Sequence, residues 1–161
     1  MSAKVSPIPA GYHSITPHLV VNNSKKAIEF YQRAFGAEVR GIMDGPDGHV
    51  MHAEIKIGDS ILMLNDELPA FHALSPTSTK ADTCVSLHLY VEDADKVFKA
   101  ALAAGAVETM PLQDQFWGDR YGKIKDPFGH SWSIGTHIKD LSPEEMMKAQ
   151  NEAMSKMAVP T

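Results

Sequence analysis

The sequence predicts an α+β fold in which two βαβββ modules form curved mixed sheets around a shared cleft, followed by a C-terminal helix. The first observation behind this prediction is an internal repeat, because residues 16–24 read TPHLVVNNS and residues 86–94 read SLHLYVEDA. The second is that each of these segments precedes one helical pattern and then three strand patterns. The repeat makes His18 and His88 equivalent positions on the first strand of each module.

Both modules contain an amphipathic helix directly after the repeated strand. The first helix is predicted to start at Asn23 or Ser24, either of which can cap it, and to stop at Gly36. The second is predicted to start at Asp93 and to stop at Gly105. Their apolar positions recur every three or four residues, at Ala27, Ile28, Tyr31, Ala34 and Phe35 in the first helix and at Ala94, Val97, Phe98, Ala101, Leu102 and Ala104 in the second.

Three strand patterns follow each helix and complete the modules. They cover about residues 37–43, 49–57 and 60–65 in the first half and 106–112, 116–125 and 130–137 in the second. The last two strands are joined by a turn signal, Asp126-Pro127-Phe128-Gly129. The predicted organisation is one domain, residues 1–161, with a first module at about 13–66, a linker at 67–82, a second module at 83–138 and a helical tail at 139–161.

The tail opens with a helix start signal, because Ser142-Pro143-Glu144-Glu145 combines a capping box with proline at the first helical position. A loosely apolar stripe follows, made of Met146, Met147, Gln150, Met154 and Met157. We expect this helix to pack on the body of the domain or on a partner subunit, since methionine makes adaptable contacts.

Composition and charge restrict the class of protein. The 161 residues carry a net charge of −5, so the chain lacks the excess of positive charge that favours nucleic acid binding. No apolar run is long enough to cross a membrane, and residues 1–11 do not resemble a signal peptide. Cys84 is the single cysteine, which excludes an internal disulfide bond and favours a cytoplasmic location. Its apolar surroundings predict a buried side chain.

The histidines of the repeat lie on the strand faces that point away from the helices. In the second module the alternation places Val85, Leu87, Leu89 and Val91 on one face and Ser86, His88 and Tyr90 on the other. The uniformly apolar face is expected to receive the helix. His18 occupies the equivalent position in the first module, so we expect both imidazoles to line one pocket between the modules.

Four motifs resemble one known family. They are AIEFYQRAFGA at residues 27–37, VMHAE at 50–54, FWGDRYG at 116–122 and DPFGH at 126–130. With the duplicated βαβββ pattern they resemble the glyoxalase / bleomycin resistance / extradiol dioxygenase superfamily, also called vicinal oxygen chelate proteins, and within it the PhnB-like subgroup. The resemblance covers about residues 13–138. It implies the fold and a homodimer but no single reaction, since one fold hosts many functions.

Metal-dependent members of this superfamily place His or Gln on the first strand of each module and a carboxylate on the last strand of one or both. By this resemblance His18 and His88 are candidate ligands of a divalent metal, which would be Zn, Ni, Mn or Fe. The carboxylate positions fall on Ser133 and near Leu62. Neither side chain is a good ligand, and two imidazoles alone hold a metal weakly.

A third metal ligand could come from the strand at 49–57. His52 and Glu54 share one face of this strand with Lys56, and Glu54 is also the candidate for a catalytic base. The alternative is that these three side chains form a solvated face. The sequence does not fix the register of this strand against His18, so both interpretations stay open.

The motif at 116–122 is a second candidate surface for a ligand. It contains Phe116, Trp117, Asp119, Arg120 and Tyr121, with glycine at 118 and 122. The aromatic rings suit a planar or amphipathic ligand, and the glycines permit close approach of another backbone or a ligand. Arg120 could bind an anionic group or pair with a carboxylate of its own chain. The alternative is a structural aromatic strand with an internal ion pair.

Two functions are compatible with these residues. The first is a protein, like the bleomycin resistance members, that binds a small organic ligand in the cleft without the usual metal triad. Its candidate ligand-binding residues are His18, His52, His88, Phe116, Trp117, Arg120, Tyr121 and Ser133. The second is a metal-dependent lyase or isomerase of the glyoxalase type that uses His18, His88 and Glu54. The unfilled carboxylate positions favour the first.

Overall fold

The computed structural model describes residues 5–157; residues 1–4 and 158–161, at the ends of the N-terminal stretch and the tail considered above, lie outside the described residues. The strands are β1 (His18–Val21), β2 (Glu38–Asp44), β3 (Val50–Ile57), β4 (Ser60–Asp66), β5 (Ser86–Tyr90), β6 (Val107–Asp114), β7 (Asp119–Lys125) and β8 (Ser131–His137). The helices are α1 (Ser24–Phe35), α2 (Pro76–Thr79), α3 (Ala94–Ala103) and α4 (Pro143–Met157). In the described part of the chain, no helix is long and apolar enough to span a membrane.

Each half forms one four-stranded mixed sheet with the same topology. The strand order is β1-β4-β3-β2 in the first sheet and β5-β8-β7-β6 in the second. In each sheet the first strand pairs parallel with the last strand, and the other pairs are antiparallel. The predicted α+β class, with two βαβββ modules and a C-terminal helix, is confirmed.

Short polar side chains start both module helices. The Asn23 side chain accepts a hydrogen bond from the backbone amide of Lys26, which settles the choice between Asn23 and Ser24. Asp93 caps α3 in the same way through the amide of Lys96. Such caps satisfy amide groups that have no partner inside the helix. Gly36 ends α1 with a φ of 67°, a left-handed conformation that favours glycine.

The end of the last strand supports the helix start in both modules. The amide of Ser24 donates to the Asp66 carboxylate at 2.6 Å, and the amide of Ala94 donates to the Thr136 hydroxyl at 2.8 Å. Both pairs occupy equivalent places in the two modules. The duplication seen in the sequence therefore extends to the side chains that join helix to sheet.

One hydrophobic core is shared by the two modules. The buried cluster includes residues from both sheets and from α1 and α3, and the two helices contact each other. Trp132 of β8 packs against Phe35 of α1 with ring centroids 4.7 Å apart. Because strand side chains alternate between faces, His18 and His88 lie on the faces turned away from this core.

The expectation that Cys84 is buried is wrong. Cys84 is exposed, because it precedes the first residue of β5 and therefore has no sheet partner to cover it. Val50 at the start of β3 is buried, whereas the next residue, Met51, is 40% exposed. A register irregularity between β2 and β3 pairs Asp44 with Val50 and Met43 with His52, which leaves Met51 as the extra residue of a β-bulge.

The C-terminal helix begins as predicted. The amide of Ser142 donates to the Glu145 carboxylate at 2.8 Å, and the amide of Glu145 donates to the Ser142 hydroxyl at 3.2 Å. This is the reciprocal arrangement of a capping box. Met147 and Met154 are 61% and 54% exposed, and none of the side chains described in α4 is buried. The body of the domain thus leaves Met147 and Met154 uncovered.

Candidate functional site

The outward face of the first sheet carries His18, Glu54 and His52. Strand register places His18 beside Met63 and Met63 beside Glu54. His18, Met63 and Glu54 therefore form one row across β1, β4 and β3. The His18 and His52 rings meet edge to face with centroids 5.8 Å apart, and His52 Nε2 lies 3.3 Å from Glu54 Oε1. The structure therefore brings the three predicted residues together on one surface.

Tyr12 and Arg40 extend this first cluster. The nearby Tyr12 hydroxyl group is the main reason that the pKa of Glu54 lies below its usual value, and the same interaction raises the pKa of Tyr12. The Arg40 guanidinium group lies 5.9 Å from the centre of the Tyr12 ring. Sequence reasoning missed Tyr12, because it precedes β1 in an irregular segment that carries no strand or helix pattern.

The family's carboxylate positions on the last strands are occupied by poor metal ligands. Ser133 lies beside His88 in the second sheet, and Met63 lies beside His18 in the first. The equivalent of Ser133 is thus Met63, not Leu62, whose side chain is buried. A thioether and a neutral hydroxyl do not replace the carboxylate that a hard divalent cation prefers. In residues 5–157 no three His, Cys, Asp or Glu side chains are arranged to hold a metal, so the donor set does not fit one.

His88 lies among aromatic side chains on the outward face of the second sheet. Its ring leans over Gly135, where an added Cβ would lie 3.2 Å from the His88 Cε1 atom. The ring meets Tyr90 edge to face at 4.3 Å and stacks on Tyr121 at 5.7 Å between centroids. Its Nδ1 atom is 2.8 Å from the Ser133 hydroxyl. Burial lowers the pKa of His88, which favours the neutral imidazole.

Asp119 holds three side-chain donors around this aromatic group. Its carboxylate accepts hydrogen bonds from the Tyr90 hydroxyl at 2.9 Å and the Trp117 indole at 3.0 Å, and lies 2.7 Å from His137 Nδ1. Burial alone would raise the pKa of Asp119, but these three contacts together hold it below the usual value. His137 Nε2 in turn lies 3.0 Å from Asp140. Sequence reasoning did not identify Tyr90 or His137 as part of a site.

Lys123 completes the outward surface of the second sheet. It pairs with Ser133, which pairs with His88, so the three form one row across β7, β8 and β5. Tyr121 lies on the same face, and its ring contacts Trp117 with centroids 5.4 Å apart. The face therefore presents an ammonium group, a hydroxyl group, an imidazole and aromatic rings side by side.

Arg120 is engaged by carboxylates of its own chain. Its guanidinium group donates to Asp95 of α3 at 2.7 Å and to Asp114 of β6 at 2.9 Å. Phe116 lies against Trp117 and lines a cavity of about 420 Å³ next to α4. Both residues therefore lie apart from the row that contains His88, and a ligand contact for either stays a prediction.

The glycines of the same motif are sites of close approach, as predicted. A Cβ at Gly118 would collide with the carbonyl oxygen of Lys139, and one at Gly122 would lie 2.8 Å from Phe98 and 2.9 Å from the backbone of Leu112. Small residues are required because other parts of the chain pack directly onto this strand.

His18 and His88 line different cavities. His18 lines one of about 390 Å³ that also contacts Cys84 and Leu87. His88 lines another of about 250 Å³ that also contacts His13 and Leu87. Among the described residues, no hydrogen bond or ring contact joins the two imidazoles. A single cleft lined by both stays a prediction.

Two equivalent βαβββ modules, each with a histidine on its first strand, define a duplicated α+β class of protein. The family model of the Glyoxalase/Bleomycin resistance protein/Dioxygenase superfamily matches residues 11–134. The chain belongs to this superfamily, and the resemblance seen in its motifs is confirmed.

Relatives and solved structures agree with this assignment. An uncharacterized protein of Mycobacterium bovis is 43% identical over 141 residues, which cover 86% of this chain and 92% of that protein. The PhnB protein of Bacillus cereus has a similar structure, with a TM-score of 0.59 at 20% identity, covering 77% of this chain and 99% of that one. The fosfomycin resistance protein FosX of Listeria monocytogenes, solved with Mn(II) and sulfate, has a TM-score of 0.59 at 15% identity. The match covers 84% of this chain and 97% of FosX. The PhnB and FosX structures thus share the fold of this chain.

Proposed function

We propose that this protein binds a small organic ligand on the outward, histidine-bearing faces of its sheets and does so without the metal triad of its superfamily. The observation that carries the proposal is the chemistry beside the two histidines. Met63 and Ser133 stand where metal-dependent members have a carboxylate, and aromatic side chains surround His88. Aromatic walls with a few polar groups are typical of small-molecule sites.

The second sheet indicates the chemistry of the ligand. Tyr121 and Trp117 provide ring surfaces against which a planar group can stack. Lys123 and Ser133 lie beside them and can bind an anionic or hydrogen-bonding substituent. A flat ligand with one anionic group therefore suits this face best. On the first sheet, His18 and His52 would contact the same ligand in a shared cleft.

The alternative function is a metal-dependent lyase or isomerase that uses His18, His88 and Glu54. One observation favours it, because Glu54 lies in the row of His18 and its pKa is lowered by the nearby Tyr12 hydroxyl group. Against it, the donor set of the described residues does not fit a metal. FosX, which has the same fold, was solved with Mn(II), so the two functions must be separated by experiment.

Elemental analysis separates them. Protein purified without chelators is expected to contain no stoichiometric Zn, Ni, Mn or Fe, and none of these ions is expected to raise its melting temperature. The double variant His18→Ala with His88→Ala is the matched control. A stoichiometric metal that this variant loses would overturn the metal-free proposal.

Fluorescence titration tests ligand binding directly. The emission of Trp117 is expected to change with aromatic carboxylates, sulfonates and phosphonates in the presence of EDTA, because its indole lies beside the proposed surface. Tyr121→Ala should weaken binding, and Phe71→Ala should not, since Phe71 is an exposed ring on the linker between the modules. No response across a broad panel would contradict the proposal.

A homodimer and a cytoplasmic location are part of the same proposal. Strand β2 is exposed along its whole length and carries Val39, Ile42 and Met43, while α4 exposes Met147 and Met154. A second copy of the chain is a suitable cover for these apolar side chains. Light scattering at micromolar concentration should give twice 17.6 kDa. A mass equal to one chain would contradict the dimer.

A further inference from the structure

We propose that Asp119 is the positioning residue of the ligand surface: it holds Tyr90 and Trp117 in place, and the ionisation of His137 controls how tightly it does so. This inference rests on the proposed function, because it concerns the same outward face of the second sheet. In this proposal the Asp119 carboxylate acts through Tyr90 and Trp117, without touching the ligand itself.

Four rings form a continuous series on this face. Trp117 contacts Tyr121 at 5.4 Å, Tyr121 stacks on His88 at 5.7 Å, and His88 meets Tyr90 at 4.3 Å between centroids. The two rings at the ends of the series, those of Trp117 and Tyr90, both donate to the same oxygen of Asp119, Oδ2. A single carboxylate therefore fixes the distance between the two ends of the aromatic surface.

Asp119 is well placed for this role because it joins three parts of the chain. Its partners come from β5 (Tyr90), the turn before β7 (Trp117) and the end of β8 (His137). The residue is only 5% exposed, so water cannot readily replace a lost donor. Hydrogen bonds to a charged group are stronger than those between neutral groups.

His137 makes the arrangement depend on pH. Hydrogen bonds to Asp140 and Asp119 raise its pKa from the usual 6.5. The other charged groups beside it, around the neighbouring surface cavity, are Arg33 of α1 and Glu92, Asp93 and Lys96 at the start of α3. Because the folded pKa is raised, the ion pair with Asp119 is complete below pH 6.5 and is lost as the pH rises through the higher value. The aromatic surface should then loosen.

The two indole groups of the chain provide the readout. Trp117 donates to Asp119 at 3.0 Å and Trp132 donates to Asp126 at 2.9 Å, so each has an indole bonded to a carboxylate. In ¹H–¹⁵N spectra Asp119→Asn is expected to shift the Trp117 indole signal and to leave that of Trp132 in place. The Trp117 signal should also titrate with pH above 6.5, and His137→Gln should abolish that titration.

Ligand binding is measured in parallel with 8-anilinonaphthalene-1-sulfonate, a planar aromatic anion. Asp119→Asn and Tyr90→Phe are each expected to weaken its binding by about fivefold, the effect of losing one hydrogen bond. Tyr90→Phe removes only the hydroxyl group of a residue that is 61% exposed, so this variant tests the proposal if Asp119→Asn does not fold.

The failures of the two proposals differ. Folded variants that bind the dye as tightly as the unmodified protein and keep its Trp117 signal would overturn the role of Asp119 alone. If the unmodified protein binds neither the dye nor any compound of the aromatic panel, the proposed function fails and the role of Asp119 fails with it.

Discussion

The hydroxyl group of Tyr31 donates a hydrogen bond of 2.8 Å to the carboxylate of Asp126, which lies 95 positions further along the chain. Burial and the nearby Asp126 raise the pKa of Tyr31 well above its usual value, so the phenol remains a neutral donor. Asp126 also accepts from the Trp132 indole and from the amides of Phe128 and His130, each at 2.9 Å. One residue of the DPFG turn thus joins the second module to the helix of the first.

Removing this link should destabilise the protein as a whole. Tyr31→Phe is expected to lower the free energy of unfolding by about 1–2 kcal/mol, since it leaves a buried carboxylate with one donor fewer. Asp126→Ala should cost about 3–5 kcal/mol, because several buried donors lose their partner together. Urea denaturation measures both values. Tyr121→Phe is the control, and an equal loss in that variant would contradict the special position of Tyr31.

Close approach at Gly118 should make it less tolerant of substitution than Gly48. Gly118 and Gly48 have φ angles of 97° and 81°, so alanine strains the backbone at both positions, by about 1–2 kcal/mol. Only Gly118 faces another backbone, that of Lys139, while a Cβ at Gly48 has nothing within 4 Å. Gly118→Ala is therefore expected to cost a further 1–3 kcal/mol or so. Equal melting temperatures of the two variants would disprove this contact.

The Tyr12 hydroxyl should control the ionisation of Glu54. Tyr12→Phe removes the hydroxyl group that contributes most to the lowered pKa, so the pKa of Glu54 is expected to rise toward 4.5. Since the folded pKa is below the unfolded value, Glu54 stabilises the fold at pH above 4.5 and loses this effect as the pH falls through the folded pKa. In the variant the loss should begin at a higher pH.

Side-chain carboxyl signals in ¹³C NMR measure this change for Glu54. Glu67 serves as an internal control, because its pKa is lowered by hydrogen bonds from Ser75 and Ser78 and not by Tyr12. An unchanged Glu54 titration in Tyr12→Phe would contradict the influence of the Tyr12 hydroxyl group on Glu54.

Arg120 should couple energetically to Asp95. The side chains of Arg120 and Asp95 are 33% and 60% exposed, and exposed ion pairs contribute little. Arg120→Ala is therefore expected to destabilise the fold by less than Tyr31→Phe does. A double-mutant cycle with Asp95→Asn measures the coupling, and zero coupling would contradict the pairing. Arg120→Ala in the ligand titration tests the predicted contact between Arg120 and an anionic ligand. Weaker binding in this variant would support that contact.

The duplicated fold could be predicted from sequence because its signals are local. The repeat around His18 and His88, the helix caps at Asn23 and Asp93 and the turn glycines each act within a few residues. Local signals do not determine the register between strands to a single residue. A slip of one residue moves a side chain to the other face of a sheet. For that reason the sequence predicts the metal-ligand position near Leu62, whereas the structure has Met63 there.

The candidate site was harder to predict because it depends on pairing between distant strands. His137 is 18 positions from Asp119, and Tyr90 is 29 positions away. No spacing in the sequence connects them, since strand order and register decide which side chains meet. The motif at 116–122 did identify Trp117 and Tyr121 as part of an aromatic surface, because their types alone suit such a role.

The most direct test of the proposed function is a crystal structure of the protein with 8-anilinonaphthalene-1-sulfonate, grown in the presence of EDTA. We predict that the naphthalene ring lies against Tyr121 and that the sulfonate contacts Lys123 or Ser133, with no metal at His18 or His88. Dye bound only at other surfaces, such as the exposed methionines of α4, would contradict the account. So would a metal retained between the histidines despite the chelator.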